Sequence, residues 1–209
     1  TAFKLWANGE LVAQAGRVAK SAADERPEFR PQVALLPPHT ARQVELVLQV
    51  SNFHYVRGGP WEPISLGTRE AAQAARESRL ALALFLAGAF GIIGLYHVIR
   101  WGARHDPSFL YFAAVCFGMA LRGLAVEEIY LVDLFPSLSW ATLLRLEYGS
   151  LLIIVAASAM FLAELFPGDQ PSFLIRGYTG VSLAGLAAVA LLPPQVFSRG
   201  LPALQVLCV

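Results

Sequence analysis

The sequence predicts a multi-domain membrane protein in which a partial antiparallel β-sandwich is followed by a bundle of transmembrane α-helices. The 209 residues are 56% hydrophobic and only 15% charged, whereas soluble domains carry about 25% charged residues. This shortfall is uneven, because residues 1–79 carry charges at ordinary density and charges become sparse after them. The boundary between a soluble part and a membrane part is therefore expected near residue 80.

An uninterrupted apolar run over residues 80–101 fixes this boundary. Up to Ile99 the run contains no charged side chain, and His97 is its one strongly polar residue. About 20 such residues, at 1.5 Å rise each, cross the roughly 30 Å hydrocarbon core of a bilayer. We predict that 80–101 is the first transmembrane helix. Residues 71–79 are charged and rich in helix-forming side chains, so they are predicted to form a juxtamembrane helix.

Residues 1–70 are predicted to form an external β-module. The pair Asn8 and Gly9 between two alternating runs is the strongest short hairpin signal, because both residues accept the positive φ angles of a type I′ turn. Apolar residues alternate again over residues 44–50, and a short last strand is predicted over 63–68. About four strands do not readily close a domain. We therefore expect the second half of a β-sandwich.

A cluster of aromatic and basic side chains lies beside the glycines of the loop before the last predicted strand. Aromatic faces bind sugars well, and binding residues tend to lie on loops. The alternative is that these side chains pack in the core and turns of the module. The candidate ligand-binding residues are His54, Tyr55, Arg57 and Trp61.

Residues 80–209 are predicted to form the transmembrane helical domain. Further apolar runs, separated by short polar turns, predict helices over about 108–126, 140–166 and 173–192, and a fifth that starts near 201. Arginines flank the turns after the first and third helices, whereas the loop after the second carries acidic residues only. The positive-inside rule then favours an N-terminal module outside, with a modest bias because Arg76, Arg79 and Arg199 fall on that side too. The β-module before the first helix favours the same orientation.

Arg122, Arg145 and Glu147 are charged residues inside predicted spans, where an arginine at the bilayer centre costs roughly 2.5–3.5 kcal/mol. Arg145 and Glu147 are two residues apart and point to different sides of one helix, so they do not pair with each other. Arg122 lies at a depth that allows an interhelical pair with Glu147, and Arg145 can reach Glu127 or Glu128. Arg122, Arg145 and Glu147 are candidate coupling residues, and a purely structural pair between two helices is the alternative.

No motif of a catalytic or metal site is present. The sequence contains no Walker loop, HExxH, CxxC or nucleophile elbow, and Cys116 and Cys208 lie in apolar segments without metal-ligand spacing. We therefore predict no catalytic residue, metal or cofactor, and the net charge of +1 gives no reason to expect nucleic acid. The chain opens within a strand pattern and stops as an apolar run begins, so we expect a piece of a longer protein.

Several stretches resemble one receptor family. In chain order these are SLGTREAAQAARES, LALALFLAGAFGIIGLYHVIR, SFLYFAAVCFGMALRGL, LFPSLSWATLLRLEY and ELFP. They are similar to the seven-helix domain of bacterial 7TM-DISM receptors, seven-transmembrane receptors with diverse intracellular signalling modules. The NG hairpin, VSNF and GGPWEPISLG are similar to the periplasmic modules of that family and to sugar-binding jelly rolls of some glycosidases.

This resemblance implies a jelly-roll, galactose-binding-like module on the outer face of the bacterial inner membrane. It also implies an output module beyond the end of this chain, such as a diguanylate cyclase, histidine kinase, adenylate cyclase or phosphatase. We therefore favour a receptor that senses a small ligand, such as a carbohydrate, and has the lipid bilayer as its partner; a homodimer is left open. The alternatives are a membrane transporter or membrane-embedded enzyme that uses the intramembrane arginine and glutamate residues, and a module that docks sugar substrate for a separate hydrolase.

Overall fold

The computed structural model of the protein divides into two compact units, residues 1–79 and residues 80–209. Each unit has its own architecture: the first is built on a β-sheet and the second on α-helices. The residues whose structure is described are 1–36, 43–56, 58–59, 63–126, 128–168 and 171–200.

The first unit contains a three-stranded antiparallel sheet of order β2–β1–β3. Its strands are β1 (Ala2–Ala7), β2 (Glu10–Ala15) and β3 (Leu46–Ser51). Asn8 and Gly9 connect the first two strands with φ angles of 49° and 84°, so the predicted hairpin with two left-handed turn residues is confirmed. The Asn8 side chain also accepts the backbone N–H of Glu45 at 2.9 Å, which ties the turn to the segment entering β3.

The core of this sheet is made of small side chains. Strand β3 is an edge strand of the described sheet, and its residues Leu46, Val47 and Val50 are 44%, 49% and 37% exposed. The described residues thus show one antiparallel layer of the module. The buried apolar residues of the two hairpin strands are Ala2, Leu5, Ala7, Ala13 and Ala15.

The prediction of a strand over residues 63–68 is wrong. This segment has no regular secondary structure, and its residues Ile64 and Leu66 are 52% and 76% exposed. Pro63 has no backbone N–H to donate to a neighbouring strand. Thr68 caps the helix that follows. The Thr68 hydroxyl accepts the N–H of Ala71 at 3.2 Å, as an N-cap residue does.

The helices have the following bounds: α1 Arg69–Arg104, α2 Pro107–Ala125, α3 Tyr130–Leu134, α4 Trp140–Leu165, α5 Ser172–Leu191 and α6 Pro194–Phe197, followed by a 3₁₀ turn at Ser198–Gly200. Among the described residues, α1, α2, α4 and α5 are long and apolar enough to cross a membrane. Helix α1 joins the segment 71–79 and the span 80–101 into one helix of 36 residues. The fifth helix predicted from residue 201 lies outside the described residues.

The turn between α1 and α2 consists of two residues, each suited to its position. His105 has a φ of 55° and donates its N–H to the carbonyl of Trp101 at 2.7 Å, which ends α1 in the left-handed conformation common after helices. Asp106 accepts the N–H of Ser108 at 2.9 Å, and Pro107 occupies the first turn of α2, where its missing N–H is not needed. The two helices are therefore joined by a fixed and very short connection.

Helix α4 is central in the second unit, because it packs against both α2 and α5. Gly118 of α2 lies so close to α4 that an added Cβ would be 2.7 Å from Ile154. Gly185 of α5 leaves similar room for Leu152 of α4, at 3.0 Å from an added Cβ. Small residues at these two positions allow α2 and α5 to approach α4 closely, at Ile154 and Leu152 respectively.

Candidate functional site

A buried carboxylate supports the loop of the candidate ligand-binding residues. Glu25 lies in the long segment between β2 and β3 and is 4% exposed. Its carboxylate accepts the hydroxyl of Ser51 at 2.9 Å and the N–H of Phe53 at 2.7 Å. Both partners lie at the end of β3, so one buried anion holds the segment after that strand.

His54 and Tyr55 follow this anchored segment and face different environments. The His54 Nε2 lies 2.9 Å from the carbonyl oxygen of Ala22 and 3.9 Å from the Glu25 carboxylate, with 23% of the side chain exposed. A carbonyl only accepts, so Nε2 carries a proton in this contact. The Tyr55 ring is buried and meets Phe29 edge to face at 6.1 Å. The structure thus places His54 at the surface and Tyr55 within the module.

The other two candidate residues, Arg57 and Trp61, lie outside the described residues. The backbone leading to them is fixed at Tyr55, whose carbonyl accepts the side-chain amide of Asn52 at 2.7 Å. A ligand-binding role for this loop stays a prediction.

A contact between Arg145 and Val189 joins α4 to the last turn of α5. The Arg145 Nε donates to the Val189 carbonyl at 3.1 Å. In a continuing helix that carbonyl would accept the N–H of residue 193, but Pro193 has none. Arg145 therefore supplies the N–H donor that Pro193 lacks. Its positive charge also lies at the negative end of the α5 dipole.

Arg122 makes a similar contact from the last turn of α2. Its Nη1 donates to the main-chain carbonyl of Glu147 on α4 at 3.3 Å, and the Ser150 hydroxyl donates to the same oxygen at 2.8 Å. No ion pair within 4.0 Å joins the Arg122 guanidinium to the Glu147 carboxylate in the described part of the chain. The predicted neighbours Arg122 and Glu147 are thus together, but the contact uses the backbone of Glu147.

The three coupling candidates lie at one end of the helical unit, where α2 and α5 end and α4 begins. Arg145 and Glu147 point to different neighbours, as their spacing of two residues requires. The described hydrogen bond of Arg145 goes to Val189 and not to Glu128, which is 7% exposed; Glu127 lies outside the described residues. The geometry therefore makes α4 the helix to which both neighbours are attached.

Two features of these sites were not predicted from the sequence. Glu25 lies in a segment without periodicity, and nothing local distinguishes it from the exposed Asp24 or the half-buried Glu28. The partner of Arg145 is 44 residues away. A signal for it was nevertheless present, since Pro193 and Pro194 leave carbonyls of α5 without N–H partners.

The chemistry available at these sites is hydrogen bonding and charge. The described residues contain no group of three or more His, Cys, Asp or Glu side chains that could hold a metal ion. Both intramembrane arginines use a guanidinium N–H on a main-chain carbonyl. Such contacts fix the relative positions of helices, and they can be exchanged for neighbouring carbonyls when helices shift.

Comparison with protein families finds a match over the helical unit. The model of a family described as 7TM diverse intracellular signalling matches residues 79–209, which is more than half of the chain. Comparisons with curated proteins and with solved structures give no significant match.

Proposed function

Because this chain belongs to the 7TM diverse intracellular signalling family, we propose that it is the sensing and relaying part of a receptor of the bacterial inner membrane. The module at its N-terminal end binds a small ligand on the outer side of this membrane. The helical bundle changes between two arrangements, and these bias an output module located beyond this chain.

The observation that carries this proposal is that one arginine hydrogen bond joins α2 to α4 and another joins α5 to α4, beside the close packing of these helices at Gly118 and Gly185. A single N–H donated to a carbonyl is directional, and its net contribution is modest, about 1.5–3 kcal/mol for a charged donor. We propose that these two hydrogen bonds are exchanged for neighbouring carbonyls in a second arrangement, which then differs little in free energy from the first. This is what a bundle needs if a ligand with limited binding energy is to shift it.

The distribution of charges supports an N-terminal module outside the membrane. Arg100 and Arg104 lie beside the turn between α1 and α2, and Arg176 lies in the first half of α5 on the same side of the bilayer. Glu128 and Asp133 belong to the connection between α2 and α4, on the other side. Arg76, Arg79 and Arg199 lie on this other side too, so the positive-inside rule gives only a modest bias towards a cytoplasmic connection between α1 and α2. The β-module before α1 supports the same orientation.

The proposed ligand of the external module is a carbohydrate. The antiparallel sheet supports a jelly-roll-like module, and the resemblance of its sequence to sugar-binding jelly rolls supports the ligand class. His54 is at the surface at the end of β3, and the candidate residues Arg57 and Trp61 follow it. Buried Tyr55 would act by supporting this loop.

The experiment is a thermal-stability screen of the whole chain in nanodiscs against mono- and oligosaccharides. A ligand present at about 100 times its Kd stabilises the folded state by about 2.7 kcal/mol, so a binder raises the melting temperature clearly. We expect Trp61→Ala to abolish the shift. Phe53→Ala, which removes a 46% exposed aromatic ring near the end of the same strand, is the matched control and should retain it. A screen in which no carbohydrate shifts the melting temperature would contradict the proposed ligand.

A further inference from the structure

Basic and aromatic side chains share one face of α1 at the end that leads to α2. His97, Arg100, Trp101 and Arg104 follow at offsets of three, four and seven residues, which places them in one row along the helix. The row covers about 10 Å of helix length. We refer to these four residues as the basic–aromatic row.

The row is held by rings of two other helices. The His97 ring lies 4.6 Å from that of Phe112 and 6.0 Å from that of Phe109, both on α2. Phe112 in turn lies 5.1 Å from Phe161 on α4. The Arg100 guanidinium stands over the Phe109 ring at 5.4 Å. Part of the row is therefore packed in a fixed position and does not move freely as a surface chain would.

The two arginines of the row form no ion pair with a carboxylate of the described residues. Among the described residues no carboxylate lies within 4.0 Å of the guanidinium groups of Arg100 and Arg104, and the buried Nε of Arg100 has no hydrogen-bond partner there. The nearby Asp106 carboxylate interacts with the charge of Arg104 from beyond 4.0 Å, and it accepts the N–H of Ser108 as the N-cap of α2. An anion from outside the chain would complete this site.

The position of the row along α1 identifies the source of that anion. The charge-free residues 80–99 immediately precede Arg100, and they are long enough to cross the hydrocarbon core. Arg100 and Arg104 are therefore placed at the depth of the lipid headgroups. Trp101, which is 38% exposed, is of the residue type enriched at that depth.

We propose that the basic–aromatic row binds the phosphate of an anionic phospholipid, with phosphatidylglycerol as the probe. The planar guanidinium matches a phosphate group with two parallel N–H donors. An anionic lipid is favoured over a zwitterionic one because arginines next to a transmembrane helix attract net negative charge. This proposal does not depend on which side of the membrane the row faces.

The test uses the whole chain in nanodiscs of phosphatidylcholine with increasing fractions of phosphatidylglycerol. The melting temperature is followed as a function of that fraction, and native mass spectrometry counts the retained lipids. We expect the melting temperature to rise and then saturate as the fraction of phosphatidylglycerol increases. Arg104→Gln and Arg100→Gln should each raise the fraction that gives half of this rise about fivefold. Arg176→Gln removes an exposed arginine on the same side of the bilayer, for which the described residues show no aromatic contact, and should leave the fraction unchanged.

Three results would overturn the proposal. If Arg176→Gln raised the half-saturating fraction as much as Arg104→Gln does, the lipid would be attracted by diffuse surface charge. If the melting temperature did not depend on phosphatidylglycerol, this lipid would not be the ligand. An equal rise on adding inorganic phosphate to phosphatidylcholine nanodiscs would assign the site to a soluble anion. Arg104 is exposed, so Arg104→Gln still decides the question if Arg100→Gln fails to fold.

Discussion

Arg145 of α4 donates its Nε hydrogen to the carbonyl of Val189 at the end of α5, at 3.1 Å. The two helices are thereby joined at a carbonyl that Pro193 cannot satisfy. An arginine within a predicted span is costly in lipid, and here its side chain caps the neighbouring helix. This contact and the one from Arg122 make α4 the helix through which α2 and α5 are linked.

Arg145→Ala is expected to lower the free energy of unfolding by about 1–3 kcal/mol, because it leaves the Val189 carbonyl without a donor. Denaturant unfolding of the chain in detergent micelles measures the change. Arg176→Ala on α5 is the control, since that exposed residue has no described contact at the end of the helix, and it should change the free energy by less than about 0.5 kcal/mol. Equal losses for the two variants would contradict the capping role.

Gly118→Ala is expected to destabilise the packing of α2 on α4 by about 1–3 kcal/mol. The new Cβ would lie 2.7 Å from Ile154, so one of the helices or that side chain must move. Gly123→Ala on the same helix meets no atom within 4 Å and is the matched control. We expect it to be neutral or stabilising by up to about 1 kcal/mol, because alanine favours helix more than glycine does.

The same unfolding measurement distinguishes overpacking from other causes. If Gly118→Ala is destabilising because of Ile154, the added substitution Ile154→Ala should recover part of the loss. A double variant that is less stable by the sum of the two single effects would argue against direct contact.

Glu25→Gln is expected to weaken the anchoring of the segment after β3. The amide has one oxygen in place of the two that accept Ser51 and Phe53, and its NH₂ group would face a donor. Hydrogen–deuterium exchange of the whole chain should show faster exchange at the Phe53 amide. Glu10→Gln, at an exposed position of β2, should leave that amide protected, and unchanged protection in Glu25→Gln would contradict the anchor.

Asp106 gives the turn between α1 and α2 a defined pH dependence. Hydrogen bonds from Ser108 hold the pKa of the Asp106 carboxyl below its ordinary value, and the charge of Arg104 acts in the same direction. Since the folded pKa is the lower one, the stabilisation is present above the ordinary pKa and is lost as pH falls through the lowered value. Circular dichroism melting from about pH 6 to about pH 3 should show a loss that is smaller in Asp106→Asn. Equal losses in the two proteins would contradict the assignment.

The sequence predicted those elements whose signals are local. Asn8 and Gly9 determined a hairpin because their preferred φ angles fit only a few turns. The four apolar helices were visible because a bilayer requires a minimum length without charge. Helix α1 begins at Arg69, before the predicted span, because charged helix formers can continue a helix beyond the hydrocarbon core.

Other features depend on neighbours that are distant in sequence. The sequence predicts a strand over residues 63–68, but a strand needs a paired neighbour, and Thr68 is used as a helix cap instead. The carbonyl partners of Arg122 and Arg145 were not predictable without knowing which helices pack together. The sequence indicated that these charges need partners, and the packing of α4 determined which ones they have.

Electron–electron distance measurements on the whole chain test most directly whether the bundle relays a signal. Spin labels at Met119→Cys on α2 and Leu191→Cys on α5, both exposed positions, report the distance between the helices attached to α4; Cys116 and Cys208 are replaced by alanine. We predict that a carbohydrate found in the thermal screen changes the distance distribution, and that Arg145→Ala changes it without ligand. An unchanged distribution in the ligand-bound protein would contradict a receptor that signals through these contacts.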